Sequence, residues 1–129
     1  MTEELFEKAV EAAKNSYSKY SRFRVGAALL TADGTVYTGC NIENSSYSLT
    51  VCAERTAVFK AVSEGKREFT AIAVAGSSGD DFSVPCTPCG ACLQVLSEFC
   101  GDDFTVILSD GAHKFSEFLP KRFTEENMA

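Results

Sequence analysis

The chain lacks residues and patterns that several function classes require. Its 129 residues include one histidine, His113, so the two-histidine H-E-x-x-H pattern of zinc proteases is excluded; we expect His113 to be a surface residue. Lysine and arginine form no run and the formal net charge is −6. That charge argues against a nucleic-acid binder, because phosphates require a basic face. No apolar run approaches the roughly 20 residues of a membrane span.

Further signatures are absent as well. The sequence has no G-x-S-x-G, no Walker loop and no G-x-G-x-x-G, which removes common hydrolase and nucleotide-binding motifs. Its first ten residues, MTEELFEKAV, lack the basic-then-apolar pattern of a signal peptide. We therefore expect a cytoplasmic protein. Because thiols stay reduced in that compartment, the six cysteines are interpreted as metal ligands and free thiols rather than as disulfides.

The hydrophobic pattern predicts a single α/β domain over residues 1–129. We predict helices at 3–15, 52–64 and 89–99, a hairpin turn at Asp33-Gly34, and strands at 25–31, 35–40, 70–75, 104–108 and 113–115. The residues of the third helix that should face the core are Ala91, Val95, Leu96 and Phe99. Together these elements form a three-layer α/β/α architecture with a mixed five-stranded sheet.

Three cysteines lie near two of the predicted helix starts. Cys52 opens the run C-A-E-R, and Cys89 and Cys92 belong to P-C-G-A-C. The helix–strand–helix unit that includes them should bring both helix starts to the same edge of the sheet. Zinc binds thiolates in a tetrahedron, and a catalytic zinc keeps one position open for water. Three thiols therefore favour a catalytic site, and Glu54 follows Cys52 closely enough to act as a base for water.

Spacing alone leaves two alternatives open for the cysteines. Cys86 and Cys89 also form a C-x-x-C pair, although Pro88 and the helical segment after it favour the later pair. The second alternative is a closed structural site with four thiol ligands, the fourth being Cys86 or Cys40. Glu54 also has a simpler explanation, because a glutamate in the first turn of a helix is favourable to the helix dipole.

Nearby positive groups should offset the negative charge of the predicted zinc site. Zinc with three thiolates carries a net charge of −1, and an electron-rich metal acidifies water poorly. Each helix N-terminus contributes about half a positive charge, and Arg55 lies beside the ligands. These positive groups should keep the pKa of the activated water near the value of about 7 that catalytic zinc produces.

The motifs as a set resemble those of a known family. C-A-E-R-T-A, P-C-G-A-C, Y-S-R-F-R-V-G-A-A-L and G-C-N-I-E-N-S-S-Y are similar to the zinc-dependent cytidine and deoxycytidylate deaminases, in particular the small homotetrameric cytidine deaminases. The resemblance covers nearly the whole chain. It implies a cytidine deaminase-like fold, a homotetramer and one zinc ion per chain. It also implies that the protein hydrolyses cytidine and deoxycytidine to uridine and deoxyuridine plus ammonia, in pyrimidine salvage.

The resemblance also implies roles for individual residues. The zinc ligands would be Cys52, Cys89 and Cys92, which decides against Cys86. Glu54 would carry protons, and Arg55 would neutralise thiolate charge. The nucleoside would be bound by Phe23, Asn41, Glu43, the backbone of Ala53 and, from a neighbouring subunit, Phe123. The chain departs from the family in its additional Cys86 and in Leu93, where the family often has arginine after the last ligand.

Three rival functions remain beside this one. The nearest is a deaminase of another aminopyrimidine nucleoside, such as blasticidin S, and the Asn41/Glu43 ribose pair speaks against it. A deaminase that edits nucleic acid is disfavoured by the acidic charge and by cysteine as the first ligand. A zinc-stabilised binding module without catalysis is disfavoured by Glu54 and by the three-thiol site.

Overall fold

The computed structural model describes residues 2–129. The helices are α1 (Thr2–Ala13), α2 (Ala53–Ser63) and α3 (Gly90–Ser97), and the strands are β1 (Arg24–Thr31), β2 (Val36–Cys40), β3 (Phe69–Ser77), β4 (Thr105–Leu108) and β5 (Gly111–Lys114). Short 3-10 turns cover Tyr47–Leu49, Phe115–Glu117 and Glu125–Met128. Within this described part of the chain, no helix has the length and apolar character needed to cross a membrane.

The five strands form one mixed sheet, in the order β2-β1-β3-β4-β5. β1 lies antiparallel to both β2 and β3, β3 runs parallel to β4, and β5 returns antiparallel to β4. The parallel pair follows from the crossover through α3, whereas the antiparallel pairs β1–β2 and β4–β5 follow from short turns. The predicted mixed five-stranded sheet is confirmed.

Helices cover both faces of the sheet, which confirms the predicted three layers. The residues that pack between the sheet and α2 and α3 include Leu29, Ala57, Val58, Ile72, Val74 and Leu96. The residues that pack between the sheet and α1 include Leu5, Ala9, Ala28, Ala73 and Ile107. Strands β1 and β3 contribute side chains to both cores, as expected for apolar strands that are covered on two faces.

Helix α3 differs from its prediction in its rotation. Ala91 is exposed, so its predicted inward orientation is wrong, while Cys92, Leu93 and Leu96 are buried. The buried stripe therefore follows Cys92 and the residues one turn after it, in helical register. Val95 and Phe99 do pack against the core from its edge. The rotation directs the Cys92 side chain towards the start of α2.

Helix α2 lies unusually close to strand β2. A Cβ atom built on Gly39 would stand 2.6 Å from the carbonyl oxygen of Ala53 and 2.6 Å from the amide nitrogen of Ala57, so no side chain fits at this position. The Thr56 hydroxyl donates a 3.1 Å hydrogen bond to the carbonyl oxygen of Cys40 in the same region. The first turn of α2, which follows Cys52, is thereby fixed against the edge strand.

We expect Gly39→Ala to destabilise the protein because both obstructing groups belong to the backbone of a packed helix. Overpacking of this kind should lower the free energy of unfolding by about 3 kcal/mol. The matched control is Gly79→Ala, since a Cβ at Gly79 meets nothing within 4 Å and should change stability by less than about 0.5 kcal/mol. Urea unfolding of both variants measures this, and equal stabilities would contradict the close approach of α2.

Candidate active site

Three thiols converge where α2 and α3 begin. Cys52 and Cys89 are the residues immediately before the two helices, and Cys92 lies in the first turn of α3. The sulfur of Cys89 is 3.7 Å from that of Cys52 and 3.4 Å from that of Cys92, and all three lie within 4.8 Å of one another. A tetrahedral zinc site with thiolate bonds of about 2.3 Å requires sulfur separations of about 3.8 Å. The cluster is therefore suited to one zinc ion.

The remaining candidate thiols stay outside this cluster. Among residues 2–129, Cys52, Cys89 and Cys92 form the one group of three or more potential ligands that lie within metal-binding distance of each other. Cys86 is half-buried beside them, and burial raises the pKa of its thiol to about 11. Cys40 has its pKa raised by burial as well. A closed site with four cysteine ligands is not supported by this geometry.

A thiol hydrogen bond and the positive charge of Arg55 stabilise the Cys52 thiolate in the cluster. Nη2 of Arg55 lies 3.5 Å from the sulfur of Cys52. The pKa of Cys52 falls to about 5, first because the Cys92 thiol donates to its sulfur and then through Arg55 and Cys89. The pKa of Cys92 is raised, since its proton is held in that hydrogen bond. The Nε atom of Arg55 is buried and has no hydrogen-bond partner among residues 2–129, while Nη2 contacts the Cys52 sulfur.

Glu54 is a buried carboxyl group beside the thiols. It lies in the first turn of α2 with 4% of its surface exposed. Burial raises the pKa of Glu54 to about 7, and the negative charge of Cys52 adds to that increase. A buried carboxyl group that changes protonation near neutral pH is able both to accept and to donate a proton.

A cavity of about 290 Å³ opens in front of this carboxyl group. The predicted site residues that line it are Phe23, Asn41, Glu43, Cys52, Ala53, Glu54 and Cys89. The lining residues that the sequence did not single out are Ser21, Val25, Tyr47, Thr50 and Thr87, and Cys86, the alternative ligand, lines the cavity as well. One wall of the cavity is the Phe23 ring, 39% exposed, and behind it a Cβ at Gly76 would lie 2.9 Å from the ring.

Asn41 and Glu43 are both buried and extensively hydrogen-bonded. The Asn41 amide donates to the carbonyl oxygen of Phe23 at 2.8 Å, and its oxygen accepts from the amide of Val25 at 2.9 Å and from Ser16 at 2.5 Å. The Glu43 carboxylate accepts hydrogen bonds from the backbone amides of Tyr20 and Ser21 and from the Ser21 hydroxyl.

These bonds leave each of the two side chains with spare capacity. The Asn41 amide retains one N–H donor, and the Glu43 carboxylate oxygen that bonds to the Ser21 hydroxyl retains one lone pair. A hydroxyl group needs one donor and one acceptor to be fully satisfied. The pair is therefore complementary to a single hydroxyl in the cavity.

The segment that carries this pair is organised by backbone pairing. Ile42 exchanges two hydrogen bonds with Val51, at 2.9 and 3.0 Å, and forms a parallel bridge with Tyr17 on its other side. Side chains alternate along such a bridge. Asn41 and Glu43 consequently share the cavity face, whereas Ile42 is not among the lining residues.

Three other predicted positions lie away from this cavity. Phe123 is 58% exposed, and its carbonyl oxygen accepts a 2.9 Å bond from Gln94, so the structure does not bring it to the cavity of its own chain. Leu93 is buried in the core between the sheet and the helices α2 and α3. His113 lies on β5 with Nε2 2.8 Å from an Asp110 oxygen, in keeping with a surface residue that is not a ligand.

Comparison with known proteins identifies relatives over most of the chain. A family model described as the cytidine and deoxycytidylate deaminase zinc-binding region matches residues 1–108. A cytidine deaminase of Halalkalibacterium halodurans is 50% identical over 129 residues, covering 96% of this chain and 95% of its own length. One of Sporosarcina psychrophila is 48% identical over 132 residues, covering 98% and 94%.

Solved structures and a second activity also appear among the similar proteins. The crystal structure of a cytidine deaminase from Burkholderia pseudomallei matches with a TM-score of 0.85 at 43% identity, covering 95% of this chain and 99% of the other. A blasticidin-S deaminase of Bacillus cereus is 34% identical over 128 residues, covering 94% of this chain and 91% of the relative. The range matched by the family model, residues 1–108, includes all the residues that line the cavity and form the thiol cluster.

We expect Cys89→Ala to lose zinc, because two thiolates cannot complete a site that needs three protein ligands. The matched control is Cys86→Ala, which removes a nearby thiol that lies outside the cluster and should keep one zinc ion per chain. Elemental analysis of the purified, dialysed variants measures the zinc content. Full zinc occupancy in Cys89→Ala, with loss in Cys86→Ala, would contradict Cys89 as a ligand and place Cys86 in the ligand set instead.

Proposed function

The chain belongs to the cytidine and deoxycytidylate deaminase family, and on that premise we propose that it hydrolyses cytidine and deoxycytidine to uridine and deoxyuridine with release of ammonia. One observation of the molecule carries this proposal. The buried Glu54 carboxyl group and the three-thiol cluster lie together at a cavity of about 290 Å³, which is of a size suited to one small molecule.

In this proposal Cys52, Cys89 and Cys92 hold one zinc ion. The chemistry that zinc supplies when bound there is the acidification of a water molecule, which makes it a nucleophile near neutral pH. The task of Arg55, 3.5 Å from the Cys52 sulfur, is to offset the thiolate charge. With Leu93 buried in the core, Arg55 performs this task without a second arginine after the last ligand.

Glu54 moves the protons of the reaction. It accepts one proton from the attacking water and delivers it to N3 of the cytosine ring while the C4–O bond forms. It then transfers the second proton of that water to the amino group on C4. The C4–N bond breaks, ammonia leaves, and the oxygen remains as the carbonyl group of uridine. One carboxyl group thus acts first as a base and then as an acid.

The base and the sugar are bound at separate parts of the cavity. Phe23 packs on the pyrimidine ring, and the backbone of Ala53 contacts the edge of the base; the first amides of a helix have no partner within the helix. Asn41 and Glu43 bind one sugar hydroxyl through the spare N–H group and the spare carboxylate lone pair. This pair supports a nucleoside that carries a free sugar hydroxyl over blasticidin S as the substrate.

The experiment is to follow the ultraviolet absorbance of cytidine and of deoxycytidine with the zinc-loaded protein, with ammonia release as a check. We expect conversion of both nucleosides. Glu54→Gln should keep the fold and one zinc per chain but lose about 10²- to 10⁴-fold in kcat, since the amide cannot carry the protons. No conversion by the zinc-loaded wild type would reject the function, and substantial kcat in Glu54→Gln would reject the proton-carrier role.

We further propose that the protein works as a cytoplasmic homotetramer in pyrimidine salvage, with Phe123 of one subunit completing a neighbour's site. Two observations support this arrangement. Phe123 is 58% exposed and lies outside its own cavity. The surface around the cavity carries further exposed apolar side chains, including Tyr47 at 57% and Leu49 at 64%, which contacts between subunits would cover.

Light scattering should give the mass of four chains, and a co-expression experiment tests the shared site. Glu54→Gln chains keep Phe123, and Phe123→Ala chains keep Glu54. Co-expressed chains should assemble some sites with an intact Glu54 and an intact Phe123 from different subunits, so kcat/KM for cytidine should exceed the values of both separate variants. No such gain in a mixed tetramer, or a monomeric mass, would contradict the role of Phe123.

A further inference from the structure

The backbone pairing beside the cavity gives Thr50 a defined position. Ile42 and Val51 exchange both of their backbone hydrogen bonds, so the residues one step away on each side face each other across the two segments. Asn41 lies across from Cys52, and Glu43 lies across from Thr50. Side chains directly opposite in such pairs share one face, and all four of these residues line the cavity.

The hydroxyl of Thr50 has no hydrogen-bond partner among residues 2–129. Its Oγ1 atom is buried and makes no hydrogen bond, although the residue as a whole is only half-buried. A buried hydroxyl without a partner is unfavourable, and the other members of the same face are used for sugar contacts or for the metal. Rotation about χ1 exchanges the hydroxyl and the methyl group between staggered positions, and Thr50 is itself a lining residue of the cavity.

We propose that Thr50 recognises the 2′-hydroxyl of ribose and so favours cytidine over deoxycytidine at this site. The proposal rests on the proposed function. The spare donor and acceptor of Asn41 and Glu43 satisfy only one hydroxyl, while ribose presents two neighbouring hydroxyl groups. Thr50, directly across from Glu43, supplies the next hydrogen-bonding group along the same face, and a hydroxyl group can serve as donor or acceptor there.

The test compares Thr50→Val, which keeps the shape and removes the hydroxyl, with Thr50→Ser, which keeps the hydroxyl. We expect kcat/KM for cytidine to fall about fivefold to tenfold in Thr50→Val, the usual effect of one neutral hydrogen bond. For deoxycytidine the change should stay below about twofold. Thr50→Ser should retain most of the preference for cytidine. Thr70→Ala, which removes an exposed hydroxyl on β3 outside the cavity, is the control for the loss of a threonine hydroxyl.

A binding measurement separates this inference from the proposed reaction. Calorimetric titration with uridine and with 2′-deoxyuridine requires no turnover, and the wild type should bind uridine more tightly, with the difference reduced about fivefold to tenfold in Thr50→Val. If the wild type binds with this difference but does not deaminate cytidine, the reaction fails and the sugar contact stands. Equal losses on both sugars in Thr50→Val, no loss on either, or no wild-type preference would overturn the role of Thr50.

Discussion

The site depends on the meeting of two helix N-termini at one edge of the sheet. Cys52 and Cys89 precede α2 and α3 directly, so the positive ends of both helices face the sulfur atoms. Three thiolates within 4.8 Å of one another would repel strongly without a cation among them. The helix ends and Arg55 reduce that repulsion only in part, so the same geometry that collects the thiols favours a metal ion. The fold supports this meeting of the helix N-termini at Gly39, where the absence of a side chain lets α2 approach β2.

The three layers and all five strands could be predicted from the sequence, because β1, β3 and β4 are apolar runs and each helix has a clear start or stop. The strands β2 and β5 are less apolar, but each directly follows a turn that contains an aspartate. The rotation of α3 about its own axis could not be predicted from the sequence. Its eight residues carry apolar side chains on most sides, so periodicity over two turns does not select the inward face. Packing selects it: Cys92 must reach Cys52 while Leu93 and Leu96 fill the core, and Ala91 is left exposed.

The candidate site could likewise be predicted only in part from the sequence. The thiols and Glu54 could be inferred from spacing, because a metal ligand set and its neighbouring carboxyl group are local patterns at helix starts. Only the resemblance to a family predicts the roles of Asn41, Glu43 and Phe23, since a polar loop has no periodicity of its own. Neither the spacing nor the resemblance predicts Thr50 as a site residue. Its position depends on the pairing of Ile42 with Val51, a contact between two loop segments that hydrophobic pattern does not encode.

Asn41 and Glu43 have a structural task that Thr50 does not share. Their hydrogen bonds hold the backbone of Phe23 and the amides of Tyr20 and Ser21, so the sugar contact and the wall against the base form one hydrogen-bonded unit. A substitution at either residue therefore disturbs the fold of the cavity together with its chemistry. The Thr50 hydroxyl makes no hydrogen bond within the described part of the chain, so a substitution that removes this hydroxyl removes no hydrogen bond seen there. Selectivity for the sugar can consequently vary at this position with little cost to the stability of the site.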